Sequence, residues 1–205
     1  MTDLKRMWTT QDTIAIRRIG SLDASPDGSS LLFTVVQAVM APEKSGYLAQ
    51  IFLADEGDQP ALQLTVGETS SFDPQWSPHG RTIAFLSRGN IWLMDIATRT
   101  AQQLTAASSG VSSYKWSPDG RTIAFTALTE TTAQAAGEKS RPRIVGQVCL
   151  KQRLYVVSVA DGSGSPARGL PLTGEDIHVG GPEVPGAYQW SPDGKSLVFC
   201  HSKSP

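Results

Sequence analysis

Three imidazoles, two thiols and the carboxylates of one loop-like segment are among the groups in this 205-residue chain that could move a proton, attack a carbonyl or hold a cation. His79, His178 and His201 could each serve as a general base or a metal ligand. None has a nucleophile or second ligand spaced to work with it, and a lone imidazole is not an active site. His79 stands where sister turns carry Asp, so it reads as a turn variant; His178 and His201 read as packing or surface residues. Cys149 and Cys200 lack metal-ligand spacing and read as reduced, buried thiols, although their spacing alone leaves a disulfide open. Asp23-Ala-Ser25-Pro-Asp27-Gly28 begins like a calcium loop, but the twelfth position is Thr34 rather than Glu. Gln75, Lys115 and Gln189 occupy the place of Asp23 in related segments, which removes the cation reading. Arg81, Arg121 and Lys195 read as solvated charges at turn tips rather than an anion site. Trp8, Trp92 and the tryptophans described next read as core rather than as a stacking platform. No catalytic, cofactor-binding or metal-binding residue is assigned.

The elements that carry these residues come from one repeated phrase. Trp116-Ser-Pro-Asp-Gly-Arg-Thr-Ile-Ala-Phe125 nearly duplicates Trp76-Ser-Pro-His-Gly-Arg-Thr-Ile-Ala-Phe85. Further copies are Trp190-Ser-Pro-Asp-Gly-Lys-Ser-Leu-Val-Phe199 and the fainter Ala24-Ser-Pro-Asp-Gly-Ser-Ser-Leu-Leu-Phe33. Pro suits the second position of a turn, and Gly supplies the positive φ that closes it. The runs after each turn are short and β-prone, which predicts strands rather than helices. Each phrase therefore predicts a hairpin with an apolar face, too small to be stable alone and expected to pack on its neighbours.

A second half recurs after three of the hairpins. Ile51-Phe-Leu-Ala-Asp55, Ile91-Trp-Leu-Met-Asp95 and Leu154-Tyr-Val-Val-Ser158 read as equivalent strands. Leu64-Thr65, Leu104-Thr105 and Leu172-Thr173 read as equivalent ends of the strand that follows. Each unit is thus four antiparallel strands. With about 40 residues per unit, this is the period of a β-propeller blade. The fold expected is all-β: an incomplete propeller of about three and a half blades over 1–205, with a short helix at 10–19. Blade 1 spans 20–66, blade 2 72–105 and blade 3 112–173, and the start of blade 4 spans 185–201. Strand character through Thr34–Val39, a break at Ala41–Gly46 and a return at Tyr47–Leu53 predict a long protruding hairpin. The polar insert around 129–143 and the Gly162–Pro166 turn enlarge the third unit. Residues 38–47, 127–146 and 174–186 are expected to line one rim.

Composition limits the function classes. Hydrophobic residues at 40% and charged residues at 18% support a packed core rather than general disorder. A formal net charge of −1 gives no electrostatic case for nucleic acid or an anionic membrane as partner. The first residues lack the apolar stretch of an export signal, so a cytoplasmic location is expected.

These hairpins, each followed by an Ile-x-Leu-x-Asp-type strand and a Leu-Thr end, are similar to TolB-like, WD-like propeller repeats. More narrowly, the chain resembles the propeller half of prolyl oligopeptidase-family serine peptidases of the acylaminoacyl-peptidase kind. The features that carry this are the opening Thr9-Thr10-Gln-Asp with Ile-Arg-Arg-Ile, the insertion before Arg153-Leu-Tyr-Val-Val, and Ile177-His-Val-Gly-Gly181 leading to Trp190. The resemblance implies a propeller that gates access to an α/β-hydrolase domain bearing a Gly-x-Ser-x-Gly nucleophile elbow. That motif is absent from the sequence, so the chain is expected to be a non-catalytic front portion of such an enzyme. The alternative is a stand-alone TolB-like interaction module. Expected partners are the hydrolase domain of the same parent protein and, through uncovered blade faces, further copies of the chain; no cofactor is expected.

Overall fold

The computed structural model describes residues 7, 9–41, 44–128, 151–159, 165–175, 177–180 and 187–203. Its architecture is a partial propeller of four-stranded antiparallel sheets. The first sheet holds β1 (Arg18–Ala24), β2 (Ser30–Ala41), β3 (Lys44–Asp55) and β4 (Leu62–Gln63), in that order. The second holds β5 (Ser71–Trp76), β6 (Thr82–Ser87), β7 (Asn90–Asp95) and β8 (Ala101–Gln103). The third holds β9 (Val111–Trp116), β10 (Thr122–Leu128), β11 (Gln152–Ser158) and β12 (Leu170–Pro171). Two short pairs follow: β14 (Tyr188–Trp190) with β15 (Leu197–Phe199), and β13 (Ile177–Val179) with β16 (His201–Lys203). The chain divides into two compact units, Met1–Gln75 and Trp76–Pro205.

The repeated turn is built identically wherever Asp is present. Ser25 Oγ donates to Asp27 Oδ1 at 2.6 Å, Ser117 to Asp119 at 2.6 Å and Ser191 to Asp193 at 2.5 Å. The same carboxylate oxygen accepts the backbone N–H two residues on, from Ser29, Arg121 and Lys195, each at 3.1 Å. The serine oxygen also accepts a backbone N–H, that of Ser30, Thr122 or Ser196. Gly28, Gly120 and Gly194 close the turns at φ 76, 65 and 70°, a region open to glycine at no steric cost. The fourth copy keeps Ser77 and Gly80 but has His79, so its backbone bonds survive without the carboxylate.

The ends of the sheets are locked as regularly. Thr65 Oγ1 accepts the Ile51 N–H at 2.9 Å, Thr105 that of Ile91 at 2.9 Å and Thr173 that of Leu154 at 3.2 Å. Leu64, Leu104 and Leu172 each donate their own N–H to the carbonyl of the same partner at 2.8 Å. Each of these threonines is buried, so the hydroxyl supplies a partner that water cannot.

Three expectations are corrected. The helix, read as 10–19, is α1 (Thr10–Ile14), closed at its start by a capping box between Thr9 and Asp12. Arg18 and Ile19 instead enter β1, where they pair with Val36 and Val35. The break read at 41–46 is narrower: pairing runs unbroken to Ala41↔Lys44, so the first-sheet hairpin is longer than read. Cys200 is an exposed free thiol rather than a buried one. It sits at the junction of β15 and β16, where its N–H and C=O bond to Ala187 and Gly180. Cys149, Trp8, the insert at 129–143 and most of the Gly162–Pro166 turn lie outside the described residues.

Candidate functional site

Strand alternation gives each sheet two faces, and the interfaces of the second unit follow one pattern. In the third sheet Tyr114, Trp116, Ile123, Phe125 and Val157 share a face, as the registers Trp116↔Ile123 and Tyr114↔Phe125 require. That face packs on Ala84, Leu86, Ile91 and Leu93 of the second sheet. The opposite face of the third sheet, with Ala124, Leu154 and Val156, packs on Val179, Tyr188, Trp190, Leu197 and Phe199. A tyrosine fastens each interface. Tyr114 donates its hydroxyl to the Ala84 carbonyl at 2.8 Å, and Tyr188 donates to the Ala124 carbonyl at 3.2 Å. Ala84 and Ala124 occupy the same slot of the repeat, as do Tyr114 and Tyr188. A tyrosine two places before tryptophan in two of the copies is the sequence signal of this contact.

The residues considered for chemistry fall into this scaffold. His79 Nε2 lies 2.9 Å from the Asp119 carbonyl oxygen, which can only accept, so Nε2 carries the proton. The turn variant thus ties its own turn to the next one, and its ring lies against Gly120. His178 Nδ1 accepts the Gln152 N–H at 3.1 Å, joining β13 to the start of β11. His201 pairs with Val179 in β16 and is exposed. The His79 and His178 imidazoles therefore serve two separate structural contacts, and the His201 side chain is exposed. Among the described residues, no group of three or more His, Cys, Asp or Glu is placed to hold a metal ion. Arg81, Arg121 and Lys195 are exposed at their turns. Trp76 is buried, Trp116 and Trp190 are half-buried, and the Trp190 indole donates to the Lys115 carbonyl at 3.3 Å.

Carboxylate electrostatics follow from the turns. Hydrogen bonds from Ser25, and then from the Ser29 backbone and hydroxyl, hold Asp27 down at about 2. Asp119 and Asp193 are lowered first by Ser117 and Ser191 and then by the N–H groups of Arg121 and Lys195. Asp95 is lowered by the Thr98 N–H and hydroxyl. Asp73 moves the other way, raised by burial and by the nearby charge of Asp23. All except Asp73 are structural acceptors at the surface, and none is poised as an acid near neutrality.

The open concavity of the first unit is a cleft of about 560 Å³ between α1 and the projecting β2–β3 hairpin. Its walls include Ile14, Ile16, Ala38, Met40 and Tyr47, with the Arg18 guanidinium 4.9 Å from the centre of the Tyr47 ring. Met40 and Tyr47 are largely exposed. The described walls bring apolar surface and the Arg18 cation, a composition suited to contact with another surface. Ala38, Met40, Ser45, Gly46 and Tyr47 of the expected rim at 38–47 line the cleft.

The family model for the dipeptidyl peptidase IV (DPP IV) N-terminal region matches residues 25–136, more than half of the chain. The Uncharacterized peptidase YuxL of Bacillus subtilis (strain 168) is 33% identical over 84 residues, which cover 41% of this chain and 12% of that protein. Among solved structures, the acylaminoacyl peptidase of Pyrococcus horikoshii superposes with a TM-score of 0.61 at 14% identity, covering 84% of this chain and 27% of that one. TolB from Acinetobacter baumannii superposes with a TM-score of 0.56 at 20% identity, covering 92% and 39%. These superpositions show the propeller fold. The chain spans well under half the length of each of these relatives.

Proposed function

The chain belongs to the family of dipeptidyl peptidase IV N-terminal regions, and on that premise we propose that it is the non-catalytic propeller portion of a serine peptidase. Its task is to limit which substrates reach an α/β-hydrolase domain contributed by the rest of a longer parent protein. The observation that carries this reading is the family match over residues 25–136. Support also comes from the chemistry of the chain itself. The His79 and His178 imidazoles are engaged in hydrogen bonds to backbone, and Asp27, Asp95, Asp119 and Asp193 are lowered by turn hydrogen bonds. The projecting β2–β3 hairpin, with Met40 and Tyr47 exposed, is the element that would meet the hydrolase domain.

Reading the gene onward in frame from Pro205 tests the first half of the proposal. A continuation that reaches Gly-x-Ser-x-Gly supports it, and a stop codon there with abundant folded product favours a stand-alone module instead. Removing the propeller from the parent tests the second half. Loss of the size limit on hydrolysed peptides is expected, and an unchanged size limit refutes gating. The purified 205-residue chain is expected to hydrolyse no peptide or acylated peptide; turnover that survives extensive purification overturns the reading.

A further inference from the structure

The first sheet leaves one strand edge open, and the reason lies at the start of β1. Ile51 donates its N–H to Thr65 Oγ1 and accepts the Leu64 N–H at its carbonyl, so both its backbone groups point to the β4 side. Thr34 is its partner in β2, and alternation therefore turns the backbone groups of Thr34, Val36, Ala38 and Met40 to the β1 side. β1 meets them only as far as Arg18↔Val36. Continued in register, it would bring Ile16 and Ile14 opposite Ala38 and Met40, but the chain there is the end of α1 and the turn after it. Among the described residues no strand stands beside Ala38 and Met40 on that side, so their N–H and C=O groups form an unpaired edge. The α1-to-β1 junction, inside one compact unit, fixes where this edge sits.

The cleft beside this edge has the walls that strand addition needs. Cross-strand partners share a face, so Arg18, Val36, Ala38 and Tyr47 lie on one side of the sheet. With Ile14 and Ile16 they line a cleft of about 560 Å³, a volume usual for ligand clefts. The Arg18 guanidinium lies 4.9 Å from the centre of the Tyr47 ring, which holds it over the cleft with its N–H fork available. No ion pair of Arg18 stands among the described residues. We propose that the cleft binds the free C-terminal end of an extended peptide, added as a strand to the open edge of β2 with its carboxylate on Arg18. Each feature selects one part of that occupant. The backbone groups of Ala38 and Met40 require an extended chain. A strand antiparallel to β2 runs in the direction of β1 and ends toward Arg18, which places a terminal carboxylate beside the guanidinium. The last peptide residue stands opposite Ala38 and the one two before it opposite Met40. Both then face Ile14, Ile16 and Tyr47, so both are apolar. The inference rests on the sheet register and is independent of any peptidase role.

Fluorescence anisotropy with the full chain tests it. The probe is fluorescein-Gly-Ser-Leu-Thr-Leu with a free C-terminus, and saturable binding is expected. Amidating that terminus is expected to weaken binding about tenfold, and so is Arg18→Gln, a change at an exposed side chain that should keep the wild-type circular dichroism. Combined, the two changes are expected to weaken it little more than either alone, because both remove the same bond. N-methylating the last leucine removes a donor that faces β2 and is expected to cost about tenfold as well. N-methylating the threonine, whose N–H faces away from β2, is expected to change little. No saturable binding of the free acid overturns the proposal, as does equal binding of the amide. Equal sensitivity to the two N-methylations overturns it by removing strand addition. Dimerisation that Met40→Pro abolishes, with no uptake of peptide, assigns the edge to a second copy and overturns it too.

Discussion

The first and third sheets carry the same hairpin, the same stacked aromatic pair and the same threonine lock, yet they differ in what lies on one face. In the third, Phe125 and Tyr114 are buried under the preceding sheet; in the first, Phe33 is half-buried and Leu22 stands exposed. The turns differ little between the two sheets, because their hydrogen bonds close within six residues of each other. Local bonding in this repeat is therefore self-sufficient, and apolar burial is what a neighbour must supply.

The largest separation between the two sheets is expected from truncating the shared phenylalanine. Phe125→Ala removes a fully buried ring and should cost about 3–5 kcal/mol by denaturant unfolding, with Phe33→Ala well below that. Equal losses would mean that the exposed face of the first sheet is covered in solution. The threonine lock should come next and should not discriminate. Thr105→Val and Thr65→Val each orphan a buried N–H, of Ile91 and Ile51, and should cost about 1–3 kcal/mol alike. Tyr114→Phe should cost about 1 kcal/mol by loss of the bond to Ala84, an effect for which the first sheet offers no counterpart at Leu22.

The smallest effect expected is on acid stability, where the sheets should agree. Asp27, Asp119 and Asp193 are lowered in the folded state, so their contribution is present above the ordinary value of 3.8. It is lost as pH falls below that value, for Asp27 toward about 2. Asp73, raised by burial, works in the opposite sense and favours the folded state more as it protonates. Replacing Asp27, Asp119 and Asp193 together by Asn should flatten the acid limb of the unfolding midpoint. An unchanged limb would assign acid sensitivity to other groups.

What was legible in the sequence was local. Ser-Pro-Asp-Gly announces its turn because Ser25, Asp27 and Gly28 bond among themselves, and Leu104-Thr105 announces a strand end by recurring. The helix was read too long because Ile16 and Ile19 keep a helical spacing, although the backbone of Ile19 is taken by Val35. The contacts between sheets were not legible. Tyr114 reaches Ala84 across 30 positions and Tyr188 reaches Ala124 across 64, and neither partner's side chain takes part, so no residue type marks the acceptor. His79 was read correctly as a turn variant, but its bond to the Asp119 carbonyl lies 40 positions away and is likewise made to backbone.

The third sheet also departs from the other two at its lock. Gln63 and Gln103 donate to the carbonyls of Thr65 and Thr105, but Pro171 stands in their slot and has no such donor. Arg153, in the slot of Gln50 and Asn90, reaches the Thr173 carbonyl instead, with Nε at 3.1 Å and Nη2 at 2.6 Å. The two substitutions are conditional on each other: Pro at position 103 would strand the Thr105 carbonyl, whereas Pro171 is harmless once Arg153 is in place. Exchange of this segment between sheets should therefore carry both positions together, the donor before Ile51, Ile91 or Leu154 and the residue before Leu-Thr.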